Sequence, residues 1–263
     1  MLIIGEKINS TIPSVREAMQ KKDIAFVQDL ARRQVEGGAD FIDVNTAQGN
    51  NEVEDMDWVV KAVQEVVDVP LCIDTVNPEA AKKGLEVYRG KAMLNSISME
   101  KSRLEGMLPL IKEHGCSVIA LTMDDKGIPK TAEERIKIAG KIVNKLKQEE
   151  IDLEEVYIDP LVLPLAVNND NAVTFFKCLA DIKEKYEVKT VSGLSNVSHS
   201  LPKRKLVNRY FLTICMSHGM DAAIMDPLDR KLTSAVTATK LLLNKDRFSR
   251  NYLKAYRSDM LED

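Results

Sequence analysis

A chain of 263 residues is near the upper limit of one hydrophobic core, and 44% hydrophobic with 29% charged residues excludes a disordered or fibrous protein. A net charge of -3, with Lys203–Lys205 the one basic cluster, excludes the broad positive face that nucleic acid requires. No apolar run approaches the ~20 residues of a membrane span, and Met1–Glu6 leads straight into a strand-like segment, so a cytoplasmic protein with one domain over residues 1–263 is expected.

Leu2–Ile8 reads as a first strand and closes on Glu6, Lys7 and Asn9. A helix follows, with Val27, Leu30, Ala31, Gln34 and Val35 at three and four spacing and Gly37-Gly38 as its stop. The second strand, Phe41–Asn45, ends with Asp43 and Asn45. The third, Pro70–Asp74, is followed by Asn77-Pro78-Glu79, a capping Asn with Pro at the first helical position. The fourth, Ala92–Asn95, ends in Asn95-Ser96, and its helix stops at Gly115.

Ser117–Thr122 runs on into Asp124 and Asp125. Thr131–Glu134 then reads as a capping box for a helix with the apolar stripe Ile136, Ala139, Ile142, Val143 and Leu146. Val156–Asp159, Lys189–Leu194 and Ala222–Met225 complete eight strands, ending in Asp159, in Ser195-Asn196 and in Asp226. Asp246–Tyr256 remains as an extra helix or tail. Strand–helix alternation with short connections implies parallel strands joined by right-handed crossovers, and eight such units favour closure into a single α/β (β/α)8 TIM barrel. An open doubly wound sheet is the alternative, but the first strand lacks the G-x-G-x-x-G turn of its dinucleotide-binding form.

In a barrel of this kind, functional side chains come from the C-terminal strand ends. Here those ends are rich in Asp and Asn and contain no His. Any one of them has a plain alternative role as the cap of the following helix. Asp74, Asn95 and Asp159 each end an apolar strand, however, and convergence is a requirement of ligand groups and not of caps. Carboxylates accept hydrogen bonds and amides both donate and accept, a set suited to a neutral planar heterocycle such as a pterin. The three histidines, His114, His199 and His218, have no metal-ligand spacing, and His114 and His218 precede glycines at helix ends. Cys72, Cys116, Cys178 and Cys215 are too scattered for a zinc site or a disulfide framework and read as buried thiols.

The segments Met1–Asn9, Leu71–Thr75, Met93–Ser96, Tyr157–Pro160 and Gly193–Ser198 resemble, in order and spacing, the methyltetrahydrofolate:corrinoid protein methyltransferases. They are more distantly similar to the pterin-binding domains of methionine synthase and dihydropteroate synthase. The resemblance implies a homodimeric barrel whose substrate is tetrahydrofolate or 5-methyltetrahydrofolate. Asp74, Asn95 and Asp159 would hold the pterin, Asn196 would stand beside N5, and Gly193, Ser195, Ser198 and Arg204 would form the adjoining wall. Glu6, Asn9, Asp43, Asn45 and His199 would support them.

The D-x-H-x-x-G motif of corrinoid-binding domains is absent, so the resemblance implies cobalamin carried by a separate corrinoid protein, with the loop Asp124–Lys130 in the docking rim. The route served would be either the acetyl-CoA pathway or O-demethylation. Two alternatives stand beside this one. A dihydropteroate synthase would place basic residues after strand seven and Arg-x-His after strand eight, where this chain has Asn196-Val-Ser198 and Asp226-Pro-Leu. A pterin-binding subunit without chemistry would have no need of Asn196.

Overall fold

The computed structural model describes residues 1–263. Eight strands lie in it: β1 (Leu2–Asn9), β2 (Phe41–Asn45), β3 (Leu71–Asp74), β4 (Met93–Met99), β5 (Ser117–Asp124), β6 (Val156–Asp159), β7 (Lys189–Gly193) and β8 (Ala222–Met225). Each pairs in parallel with its sequence neighbours, and β1 pairs with β8, so the sheet closes in the order β1 to β8. This is the expected (β/α)8 barrel.

Around it run α1 (Pro13–Gln20), α2 (Ile24–Glu36), α3 (Glu52–Gln64), α4 (Pro78–Val87), α5 (Lys101–His114), α6 (Ala132–Gln148), α7 (Asn171–Tyr186), α8 (Arg204–Ser217), α9 (Arg230–Leu242) and α10 (Arg250–Arg257). The apolar stripes of α2 and α6 are buried in the shell between sheet and helices, which holds the largest core cluster, 39 residues. At roughly 25 cal/mol per Å2 of apolar surface, this shell is the main stabilising layer. No helix is long and apolar enough to cross a membrane.

The caps settle which strand-end residues are free. Asn77 accepts from the Glu79 N–H at the start of α4, Thr131 from Glu134 at α6, Asn51 from Glu54 at α3 and Asp229 from Leu232 at α9. Only half of the expected capping box forms, because the Thr131 hydroxyl donates to the Glu134 carboxylate at 3.2 Å. Gly115 takes the left-handed conformation (φ 59°) that closes α5 with little cost to a residue lacking Cβ. Gly37 stays right-handed, and Gly38 turns the chain at φ 97°.

Three local departures from the sequence reading occur. Strands β4 and β5 run on to Met99 and Asp124, with register shifts between Asn95 and Met99. The chain leaves β7 at Gly193 and forms a 3-10 turn over Leu194–Ser198. The short helix α1 lies between β1 and α2; its eight residues carry no long periodic stripe, which is why pattern alone passes over it.

Candidate functional site

The site follows from the period of two along each strand. Ile4, Cys72, Met93, Ile119, Tyr157 and Val191 point inward and form an apolar plug in the barrel. Two residues further on, the same inward face carries Glu6, Asp74, Asn95, Leu121, Asp159 and Gly193, all of which line a cavity of about 620 Å3 at the C-terminal mouth. On β2 the same step leads from Phe41 to Asp43. Register brings the polar groups level: Asn45 pairs with Asp74 and Asp74 with Asn95.

Hydrogen bonds tie this ring together. Asn45 Nδ2 donates to Asp74 Oδ2 at 2.9 Å, and Asn95 Nδ2 donates to Asp43 Oδ1 at 3.4 Å. Asp159 Oδ1 accepts from the Leu161 N–H at 2.7 Å, and its carboxylate also meets the Gly193 N–H. None of Asp74, Asn95 or Asp159 caps the helix that follows it: Asn77 caps α4, and α5 and α7 have no side-chain cap.

Burial dominates the electrostatics. It lifts Asp159, only 6% exposed, to about 6, against the pull of the two N–H groups and the Arg135 charge. Asp74 also rises to about 6 through burial, opposed by donation from Asn45 and Asp43. Asp43, 1% exposed, is pushed well above the carboxylate range by burial and by the Asp74 charge. Both carboxyls are thus shifted toward the neutral form, Asp43 further than Asp74, which faces the cavity.

The opposite wall is built from β1, β8 and the turn after β7. Lys7 Nζ pairs with Asp226 Oδ2 at 3.1 Å, and Ser195 Oγ donates to Glu6 Oε2 at 3.4 Å. Burial first, and then the Asp226 charge, lift Glu6 to about 7, offset by Lys7, Ser195 and Arg204. Arg204 braces the turn, donating to the Ser195 carbonyl at 2.7 Å and to the Ser198 hydroxyl at 3.1 Å. Asn196 stands exposed at the mouth. A Cβ built on Gly193 would meet Asn196 Nδ2 at 3.0 Å, so glycine there lets the amide lie close over the strand end.

Not every anticipated residue reaches the cavity. Asn9, Asp43, Ser195 and Arg204 line it together with Asn196. Asn45 acts on it through Asp74, and buried Ser198 acts through Arg204. His199 is exposed outside it, its N–H closing the turn on the Asn196 carbonyl at 3.2 Å. His218 bonds the Ile214 carbonyl at the end of α8, in keeping with its reading as a helix-end group, and the four thiols are buried and free.

Sequence reasoning missed Arg135. Fully buried in α6, it donates to the carbonyls of Pro129, Pro160 and Leu161, and so fixes the turn that follows Asp159. The signal was present: Arg135 occupies the stripe of Ala139, Ile142 and Leu146, where a cation needs buried acceptors.

Comparison with known proteins bears on this geometry. The family model described as "Pterin binding enzyme" matches residues 5–226. "Methylcorrinoid:tetrahydrofolate methyltransferase" of Eubacterium limosum is 39% identical over 261 residues, covering 98% of this chain and 96% of that protein. Methionine synthase of Mycobacterium leprae is 30% identical over 240 residues, 86% of this chain and 20% of that larger protein. Dihydropteroate synthases from Thermus thermophilus and Yersinia pestis superpose with TM-scores of 0.68 and 0.67 at 18% and 17% identity. Each match covers 92% of this chain and 93% of the other, a likeness of fold.

Proposed function

Because the chain belongs to the pterin-binding enzyme family, we propose that residues 1–263 work as one barrel domain that moves a methyl group between N5 of tetrahydrofolate and a corrinoid carried by a partner protein. The chain is a methyltransferase. The observation that carries the reading is the graded cavity: a ring of buried and half-buried hydrogen-bonding groups directly above the apolar plug, with Asn196 at the open mouth.

Asp74 and Asp159 accept from the N–H and amino edges of the pterin, and Asn95 serves both donor and acceptor positions. Each charge-assisted contact contributes about 1.5 to 3 kcal/mol, so two of them fix the ring's orientation. Asn196 then donates to N5. Methyl transfer changes the charge at that nitrogen, and a neutral amide stabilises the change in either direction without titrating. The corrinoid supplies the other methyl-carrying centre when its protein docks over the open mouth.

Calorimetric titration with 5-methyltetrahydrofolate tests the reading. Saturable binding is expected, weakened about tenfold or more in Asp159→Ala; no binding by the wild-type protein would overturn it. A homodimer belongs to the same proposal. Leu206, Tyr210 and Ile214 are 48%, 62% and 41% exposed at four-residue spacing on α8, and Val173 on neighbouring α7 is 68% exposed, a stripe that supports pairing. Sedimentation equilibrium should then give twice the chain mass, and a monomer at micromolar concentration would remove the dimer.

A further inference from the structure

Glu6 is an acidic group of the inward ring that the reading above does not use, and it hydrogen-bonds to the turn that carries Asn196. The three groups assigned to the pterin come from β3, β4 and β6, whereas Glu6 stands on β1, in the sector completed by β7 and β8. That sector is also where Asn196 sits. The carboxyl of Glu6 accepts from Ser195, the residue next to Asn196, and both residues line the cavity.

The chemistry needs a group there. When tetrahydrofolate receives a methyl group, the N5 lone pair forms the new N–C bond, and the electron pair of the broken bond stays with the corrinoid. N5 then bears one proton too many. Asn196 can donate to N5 but cannot take a proton away. Resting on the methyl-transfer reading, we propose that Glu6 is the proton acceptor for N5 during methylation, and the proton donor in the reverse direction. The N5 proton passes to Ser195 Oγ as the Ser195 hydroxyl proton passes to Glu6 Oε2, which leaves Ser195 unchanged and Glu6 neutral.

Its surroundings suit the role. Glu6 is faced by Lys7 on its own strand, Asp43 on β2, Asp226 after β8, Ser195 after β7 and Arg204 on α8. Burial and Asp226 outweigh the cations and raise the carboxyl to about 7, where it takes up and releases a proton near neutrality. The Lys7–Asp226 pair, at 3.1 Å, holds both charges at the rim of the same sector.

The test is methylation of tetrahydrofolate by free methylcobalamin, measured from pH 5.5 to 8.5 in the wild type and in the isosteric Glu6→Gln, with tetrahydrofolate affinity measured in parallel. Glu6→Gln should lose about 10^2-fold or more in rate, keep its dissociation constant within about threefold, and lose the inflection near pH 7. Asp226→Asn removes a like charge and should move that inflection to lower pH, a shift that a purely structural role would not produce. A Glu6→Gln variant with wild-type rate and pH profile would overturn the proposal. So would lost affinity with unchanged turnover, which would make Glu6 a pterin ligand. Failure of the wild type to bind tetrahydrofolate would instead strike the methyl-transfer reading, and it would be seen before any variant is compared.

Discussion

Asn196→Ala is expected to lose about 10^2- to 10^3-fold in methyl-transfer turnover while its dissociation constant for 5-methyltetrahydrofolate changes by less than about threefold. The geometry separates the two effects. In the proposed reading affinity comes from Asp159, buried, and from half-buried Asp74 and Asn95, two residues above the apolar plug, whereas Asn196 lies at the exposed mouth on the 3-10 turn after β7. A donor aimed at N5 stabilises charge that changes during transfer, so its removal falls on the rate.

The alternative role, capping of the next helix, fails on the structure. Lys203 holds the cap position of α8, no side chain caps that helix, and the turn is closed by the Asn196 carbonyl, which alanine retains. Little loss of stability is therefore expected alongside the rate effect. Thermal unfolding with single-turnover kinetics checks both, and equal losses of affinity and rate would return Asn196 to the binding wall.

All eight strands, and the residues at their ends, were legible because two periods coexist in this sequence. The runs from Leu2 to Ala222 are short and apolar, and the stripes between them repeat at three to four. Whether a strand-end Asp or Asn faces the cavity or caps a helix was not legible, since both roles favour the same residues. Packing decided it, giving Asn77 and Thr131 to the caps and Asp74, Asn95 and Asp159 to the ring. Pairing of Lys7 with Asp226 joins residues more than 200 positions apart and depends on closure of β1 against β8, which no local pattern encodes. His199 adjoins the turn that carries Asn196, yet it is the residue just past the end of that 3-10 turn and it faces solvent, outside the cavity.

The double variant Asp74→Asn/Asp159→Asn should bind the pterin about 10^2- to 10^4-fold more weakly, two charge-assisted contacts being lost together, and should nevertheless resist unfolding better than the wild type at pH 8. The sign follows from burial. Asp159 has its pKa raised from 3.8 to about 6 in the folded protein, so the folded state holds that proton more tightly than the unfolded chain does. The stabilisation is fully present below pH 4 and is lost as pH rises through 6. For Asp159 alone this corresponds to about 3 kcal/mol at pH 8.

Asparagine stays neutral throughout, so the stability gap between variant and wild type should open between pH 4 and 7 and then level off. Its size for Asp159→Asn will be below 3 kcal/mol, because an amide NH2 cannot accept from both the Leu161 and the Gly193 N–H groups. Pterin affinity should run the other way in the wild type, falling below pH 6 as Asp74 and Asp159 take up protons, and should stay flat and low in the variant. Urea unfolding across pH, paired with titration of the same samples, reads both curves. A double variant that is less stable at pH 8, or that binds the pterin as the wild type does, would show that these carboxylates are structural anchors and not ligand groups held in the barrel at a cost to its stability.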